Sequence, residues 1–182
     1  MPEVILFVIA TAGISYVSRA SLRAPGAHGF YRFFAWEAVL ALFLLNVRRW
    51  FVDPFSPRQI VSWLLLFGSL YLVIAGVILL RQRGKATAAR DDAPLYEFEK
   101  TTVLVTDGLY RYIRHPLYSS LLFLGWGIFF KAPSWLAWLL VLAASAFLFA
   151  TARVEEGENI RYFGDVYRAY MQRSKMFVPF VL

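Results

Sequence analysis

GLYRYIRHPLYSS, residues 108–120, places arginines, a histidine and a proline directly before a strongly apolar run. Polar groups of this kind are expensive to bury in a bilayer, so they mark an interface or a site. Pro116 suits the first turn of a helix and restricts the residue before it to an extended or turn conformation. We therefore predict that a membrane helix begins at Pro116. It presents His115 beside the backbone N–H groups of the helix N-terminus, which favour an anion.

The composition indicates a membrane protein. Of the 182 residues, 59% are hydrophobic and 18% are aromatic, whereas ordinary soluble domains contain roughly 45–50% apolar residues. A helix needs about 20 residues to span the hydrocarbon core of a bilayer. Runs that reach or approach this length predict about five transmembrane helices, at residues 4–17, 30–47, 60–80, 117–130 and 135–152.

The predicted fold is an all-α, polytopic membrane helix bundle that forms a single domain over residues 1–182. Its parts are the N-terminal transmembrane helices at residues 1–80, a cytoplasmic loop at 81–116, a helical hairpin at 117–152, and a cytoplasmic tail at 153–182. In the tail, Glu156, Ile160, Phe163, Tyr167 and Tyr170 recur at helical spacing, which predicts an amphipathic helix with an aromatic face.

The basic residues predict the orientation of the bundle. If the N-terminus lies outside, fifteen lysines and arginines fall on the inner side and four on the outer side. Such an excess is typical of cytoplasmic loops, so we expect a multi-pass protein whose active site faces the cytoplasm. The net charge of +7 comes from residues at the ends of apolar runs. It therefore indicates contact with anionic lipid headgroups and no nucleic acid, and no obligate protein partner is indicated.

The short turn at residues 131–134 predicts that the fourth and fifth helices form an antiparallel hairpin. Their cytoplasmic ends then meet, so residues 108–120 lie close to Glu155 and Glu156. Adjacent carboxylates near a bilayer require cationic partners, and a positively charged ligand would be one. The predicted site therefore offers a place for an anionic group, a place for a cationic group, and aromatic walls. An amino acid zwitterion attached to a flat ring suits such a site.

Two motifs carry a resemblance to a known family. LVTDGLYRYIRHPLY, residues 104–118, and EEGENIRYFGDVYRAY, residues 155–170, together resemble the isoprenylcysteine carboxyl methyltransferase and phospholipid methyltransferase family of integral membrane enzymes. The resemblance covers about residues 95–179. It implies transfer of a methyl group from S-adenosyl-L-methionine to a lipophilic, membrane-dissolved substrate, either an isoprenylcysteine-like carboxylate or a phospholipid amine. A small lipophilic thiol or phenol is a further candidate.

The resemblance also implies roles for individual residues. Thr102, Val103, Leu104, Val105 and Tyr110 would line the adenosine end of the cofactor, His115, Pro116, Leu117 and Tyr118 would hold its body, and Glu155 would bind its charged amino acid end. The candidate catalytic residues are Arg153, which would position the acceptor, and Glu156 and His115, either of which would act as a base. No metal site is predicted, and the absence of cysteine excludes a zinc site of the cysteine type.

Two positions depart from the family pattern. Ser120 replaces a small glycine that often follows the motif tyrosine by two residues, which bears on the fit of the cofactor. Thr151 stands where the carboxyl methyltransferases have an arginine that positions the substrate carboxylate, and Arg153 follows two residues later. If Arg153 does not take over that role, a carboxylate acceptor is disfavoured.

Other interpretations remain open at this point. The arginine-rich segment is similar to one in sterol reductases, which would imply a nicotinamide cofactor, and a non-catalytic membrane scaffold is a further alternative. Arg111 and Arg114 are interpreted as membrane-surface anchors. Glu37, inside an apolar run, is expected to pair with an arginine. Gly125-Trp126-Gly127 predicts a close helix contact, and His28 carries no functional signal.

Overall fold

The structure is a computed structural model that describes residues 2–85, 87, 96 and 99–179. Its regular elements are helical, which confirms the predicted all-α bundle. The α-helices are α1 (Pro2–Val17), α2 (Arg19–Leu22), α3 (His28–Asn46), α4 (Pro57–Arg83), α5 (Pro116–Phe129), α6 (Trp135–Phe163) and α7 (Asp165–Arg173). Short 3-10 turns lie at Val47–Arg49 and Gly108–Arg111.

Helices α1, α3, α4, α5 and α6 contain the five predicted apolar runs. Within the described part of the chain, three segments are long and apolar enough to cross a bilayer: His28–Arg49, Pro57–Arg83 and Trp135–Phe163. Helices α1 and α5 are apolar but shorter, so five crossings remain a prediction. Helix α4 exposes large apolar side chains, including Leu64 and Phe67. Such a surface suits contact with lipid.

Helix α6 continues past the predicted end of the hairpin. Residues 153–163 extend the same helix, so the tail helix does not begin at a new N-terminus beside Glu155 and Glu156. The break comes at Gly164, whose φ of +62° is a left-handed conformation that favours glycine. Helix α7 follows at once and buries Tyr167 and Tyr170, the end of the predicted aromatic face.

Small residues bring the long helices close together. Ala35 and Ala38 on α3 are buried in the same two clusters as Ala137, Ala144 and Ala152 on α6. Alanines at a membrane helix interface let the two backbones approach, which increases the van der Waals contact. The α3–α6 pair therefore forms the centre of the bundle, with α5 packed against both.

Gly127 provides the close contact between α4 and α5 that the sequence predicts. A Cβ atom at Gly127 would lie 3.0 Å from the side chain of Leu66 and 3.3 Å from its backbone nitrogen. Across the same contact, Ser62 donates a hydrogen bond of 2.7 Å to the Gly127 carbonyl oxygen. No side chain larger than hydrogen fits here without a shift of the neighbouring helix.

Helix α1 contacts α3 at Glu37 and the following 3-10 turn at Arg48. Thr11 Oγ1 donates a 2.6 Å hydrogen bond to Glu37 Oε2, and Arg48 Nη2 lies 2.5 Å from Glu3 Oε1. The expected arginine partner of Glu37 is therefore wrong, since the observed partner is a hydroxyl group from the neighbouring helix. The side chain of Glu37 faces α1.

Candidate functional site

Helix α5 begins as predicted, with His115 as the N-cap residue and Pro116 in the first turn. The chain before it is fixed by the tail. The Arg114 and His115 amides donate to the carbonyl oxygens of Lys175 and Met176, at 2.7 and 3.1 Å. These two amides precede the helix and are engaged by the tail, so they are not part of the anion site that the first turn of α5 is expected to offer beside His115. Their effect is to lock the histidine in place.

The acidic pair on α6 meets this segment, as the hairpin geometry predicts. Tyr118 Oη donates a hydrogen bond to Glu155, and His115 Nδ1 lies 3.9 Å from the same carboxylate. Glu156 is turned toward the other side of His115, with its Oε1 atom 3.5 Å from Nε2. The imidazole ring also stacks on Tyr118, with ring centroids 5.4 Å apart. The two motifs thus form one cluster.

The Arg114 side chain is only 9% exposed and pairs with Glu156, so the interpretation as a surface anchor is wrong. Its Nε atom donates to Glu156 Oε1 at 2.6 Å, and its Nη1 atom donates to the Ser174 carbonyl oxygen at 2.5 Å. The arginine thereby ties α6 to the tail. Arg111, by contrast, is exposed and lies over the ring of Tyr112.

A cavity of about 300 Å³ opens next to this cluster. Of the predicted cofactor residues, it is lined by Leu104, Val105, Tyr110, His115, Pro116, Leu117, Tyr118 and Glu155. Its other walls come from α3, α4, the segment before α5, and α7. Ser120 lines it as well, so a hydroxymethyl group occupies a place where the family often has only hydrogen.

Four predicted site residues do not line the cavity. Thr102 and Val103 lie against the end of α4, where both amides donate to the Gly84 carbonyl oxygen. Glu156 contacts Arg114 and His115, which do line the cavity. The Arg153 side chain is 63% exposed, with its Nη1 atom 3.9 Å from Glu156 Oε2.

The sequence interpretation missed a second group of charges in the cavity wall. Arg32, on α3, forms an ion pair with Glu99, and its guanidinium lies 4.5 Å from the ring centre of Tyr96. Trp36 stacks on Tyr96 with the two ring planes only 8° apart. A signal was available: Arg32 stands inside an apolar run, as Glu37 does, and charged residues in such runs mark functional sites.

His28 was also missed. Its Nδ1 atom lies 2.6 Å from Glu158 Oε2, and its amide donates to Glu158 Oε1 at 3.0 Å. The other ring nitrogen lies 4.0 Å from Glu99 Oε2. His28 therefore connects the start of α3 to α6 directly behind the Arg32–Glu99 pair. No local pattern reveals this pairing, because the two residues are 130 positions apart.

Three tyrosines of the cavity stay neutral at physiological pH. Burial raises the pKa of Tyr110 well above its ordinary value, and the negative charge of Glu155 raises it further. Burial likewise raises the pKa values of Tyr167 and Tyr170. These residues therefore serve as hydrogen-bonding and apolar walls; Tyr170 Oη, for example, donates to the Tyr110 carbonyl oxygen at 2.5 Å.

The cavity suits one class of ligand in particular. Glu155 supplies a carboxylate, with a side chain 26% exposed, for a cationic group, and the tyrosines and aliphatic side chains supply flat and apolar walls. S-adenosyl-L-methionine combines a charged amino acid end, a sulfonium and a flat ring, so the residues present fit it. Among the described residues, no group of three or more potential ligands is arranged to hold a metal ion.

Two comparisons with known proteins found similar sequences. A family model described as phospholipid methyltransferase matches residues 58–166. Methanethiol S-methyltransferase 1 from Bradyrhizobium diazoefficiens is 37% identical over 73 residues, which are 39% of this chain and 24% of the relative. The chain thus aligns with about a quarter of that relative's length. No solved structure matches the chain.

Proposed function

The chain belongs to the phospholipid methyltransferase family, and from this membership we propose that it transfers a methyl group from S-adenosyl-L-methionine to a small lipophilic acceptor. The observation that carries the proposal is the meeting of Tyr118 and Glu155 at the cavity. It brings the two family motifs, residues 104–118 and 155–170, to the same cavity. A half-buried carboxylate beside an open cavity favours a cationic ligand.

The residues divide into those that bind and those that position. Glu155 would bind the amino group of the cofactor, and the hydrogen bond from Tyr118 holds that carboxylate in place. Arg114 donates a hydrogen bond to Glu156, and Glu156 in turn contacts the His115 ring. Leu104 and Val105 would contact the adenosine end and exclude water from it. Preorganised contacts of this kind align the two reactants, which is the main requirement for a displacement at carbon.

S-adenosyl-L-methionine would supply an electrophilic methyl group on a sulfonium centre. The acceptor approaches in line, and the protein must hold the two reactants at contact distance in a dry cavity. Val73, on α4, lines the cavity and is 36% exposed. This wall supports a route by which a lipophilic acceptor reaches the cavity sideways from the bilayer.

Among the candidate acceptors, a small thiol has the most support. The relative from Bradyrhizobium diazoefficiens is named for methanethiol. The cavity volume of about 300 Å³ lies at the low end of the range for ligand pockets. A cofactor would fill most of it and leave little room for a large acceptor inside. An isoprenylcysteine-like carboxylate or a phospholipid amine would have to keep its chains in the bilayer.

Calorimetric titration of the purified protein with S-adenosylhomocysteine tests the cofactor. We expect binding in the micromolar range, and no binding at millimolar concentration would contradict the proposal. A parallel titration with NADPH tests the reductase interpretation, for which binding of NADPH in place of S-adenosylhomocysteine is the expected result. Incubation with radiolabelled S-adenosyl-L-methionine and a matched thiol, carboxylic acid and amine then identifies the acceptor.

A further inference from the structure

Arg32 brings a positive charge to the cavity from a part of the chain that the family model does not match. The match to the family model begins at residue 58, whereas Arg32 lies earlier in the chain, on α3. Only 3% of the residue is exposed, yet it lines the cavity. Burial of an arginine is energetically unfavourable unless its charge interacts with an anion. The position therefore calls for an explanation beyond the family motifs.

Among the residues that the structure describes, two arginines line the cavity, and they differ in how they are held. Arg114 donates from Nε to Glu156 and from Nη1 to the Ser174 carbonyl oxygen. The bond from Arg32 to Glu99 uses Nη1. A guanidinium has five N–H donors, so Arg32 is able to bind an anion in addition to Glu99. Its plane is supported by the rings of Tyr96 and Trp36.

We propose that Arg32 binds the methyl acceptor through an anionic nucleophilic atom, so that the substrates are acids such as thiols and not amines. The inference rests on the proposed function and extends it to the acceptor side of the same cavity. A thiol is a good nucleophile only as a thiolate, and a neighbouring cation lowers the pKa of a thiol. Arg32 would thus both position the acceptor and favour its reactive form.

The reaction balances with this assignment. The thiol loses its proton to solvent when it binds as a thiolate beside Arg32. A lone pair of the thiolate sulfur forms the new bond to the methyl carbon. The bond between that carbon and the sulfonium sulfur breaks, and its electron pair stays on the cofactor sulfur. One thiol and one S-adenosyl-L-methionine therefore give one thioether, one S-adenosylhomocysteine and one proton, with no further reactant.

Glu99 would partly neutralise the positive charge that Arg32 presents to the acceptor. Its Oε1 atom pairs with the guanidinium, while Oε2 accepts a 3.0 Å hydrogen bond from the Tyr96 amide. Charged and titratable groups also face Arg32 from the other elements, namely Tyr118 on α5, Glu155 on α6 and Tyr96 beside Glu99. His28, paired with Glu158, stands behind Glu99. Removal of one charge from this set should shift the ionisation of a bound thiol in a predictable direction.

The test compares Arg32→Gln, Arg32→Lys and Glu99→Gln in the full chain, purified in detergent. The probe acceptor is a short alkanethiol, and the readouts are the affinity for S-adenosylhomocysteine and the pH dependence of kcat/KM. We expect Arg32→Gln to lower kcat/KM about 100-fold, the usual effect of removing one partner of a buried charge pair. The pH at which kcat/KM levels off should rise, and cofactor affinity should stay within about threefold, a shift of less than 1 kcal/mol.

The two other variants distinguish an effect of the Arg32 charge from a purely structural role of its side chain. Arg32→Lys keeps the charge and should restore part of the rate. Glu99→Gln removes the carboxylate that is paired with Arg32. Because the charge of Arg32 is then less neutralised, the thiolate is favoured more and the pH profile should move in the opposite direction, toward lower pH. A purely structural role would not produce opposite shifts. If Arg32→Gln does not fold, the direction of the Glu99→Gln shift still decides the question.

Arg161→Gln is the matched control, because Arg161 is an exposed arginine on α6. It should match the wild type in rate, pH profile and affinity. Equal losses of cofactor affinity and rate in Arg32→Gln would overturn the inference, as would an unchanged pH profile in both the Arg32 and Glu99 variants. Preferential methylation of an amine would overturn it as well. Failure of the wild type to bind S-adenosylhomocysteine would instead contradict the proposed function.

Discussion

The two ends of the helix bundle both bury a cation against aromatic rings, but they use it differently. At the hairpin end, which contains the α5–α6 turn, Lys131 is completely buried. Its Nζ atom donates to Gln59 Oε1 at 3.0 Å and lies 3.3 Å from the ring centre of Trp63. At the cavity end, Arg32 is similarly buried but borders an open volume of about 300 Å³.

This difference separates a structural cation from one that is available to a ligand. Burial lowers the pKa of Lys131, and its Nζ atom is held by Gln59 and by the rings of Trp50 and Trp63. Gln59 in turn donates to the Val52 carbonyl oxygen, so the hairpin end is a closed polar network. The cavity end leaves carboxylate and guanidinium groups beside empty space. Substitutions at the two ends should therefore affect different properties.

The largest effect is expected at Glu155. Glu155→Gln keeps the size of the side chain and removes the charge that would bind the cofactor amino group. Affinity for S-adenosylhomocysteine should fall about 100-fold, as for loss of a charged hydrogen-bonding partner, with helix content by circular dichroism unchanged. Asp165→Asn is the control, since Asp165 is exposed at the same end. Equal affinities of Glu155→Gln and the wild type would remove Glu155 from the site.

Lys131→Met should show the reverse behaviour. The substitution leaves Gln59 Oε1 without its donor and removes the cation from the rings of Trp50 and Trp63. The free energy of unfolding in mild detergent should fall by about 2 kcal/mol, while affinity for S-adenosylhomocysteine stays unchanged. Arg58→Met is the control because Arg58 is an exposed cation beside Gln59. Loss of cofactor affinity in Lys131→Met would show that the two ends are coupled.

The smallest and most selective effects are expected at two glycines. A Cβ at Gly76 would lie 3.0 Å from the end of the Leu117 side chain, whereas one at Gly127 would also lie 3.3 Å from the Leu66 backbone nitrogen. Gly127→Ala should lower the free energy of unfolding by about 1 kcal/mol and leave cofactor affinity intact. Gly76→Ala should cost less stability, because the leucine end is mobile. It should weaken cofactor binding a few-fold, because Leu117 lines the cavity.

Unfolding midpoints and calorimetric titrations on the two alanine variants measure both properties side by side. Identical profiles for Gly76→Ala and Gly127→Ala would mean that the cavity wall is no more sensitive to packing than the rest of the bundle. That result would count against a preorganised binding site.

The helices were predictable because hydrophobic length is a local property. Each of the five apolar runs forms a helix, and Pro116 begins α5 where its missing N–H group and fixed φ suit the first turn. The meeting of Tyr118 with Glu155 followed from one further local fact, the short turn before α6. A tight turn forces two helices to run antiparallel, so their far ends come together.

The second half of the cavity wall was not predictable in this way. Arg32, Glu99, His28 and Glu158 carry no shared spacing, and they meet only because α3 packs along α6. The partner of Glu37 was mistaken for the same reason, since the rotation of α3 directs that side chain to Thr11. Thr102 and Val103 were predicted to line the cofactor cavity. Their positions in the sequence did not show that they instead lie against Gly84, outside the cavity lining.

By itself the sequence determined that this chain is a membrane helix bundle with a hairpin whose ends carry a histidine–proline motif and an acidic pair. Those features depend on hydrophobic length, proline geometry and turn length, which act over a few residues. Only the tertiary structure decided which charged side chains face one another. That choice depends on how each helix is rotated about its axis, and the rotation is set by the packing of small residues between distant segments.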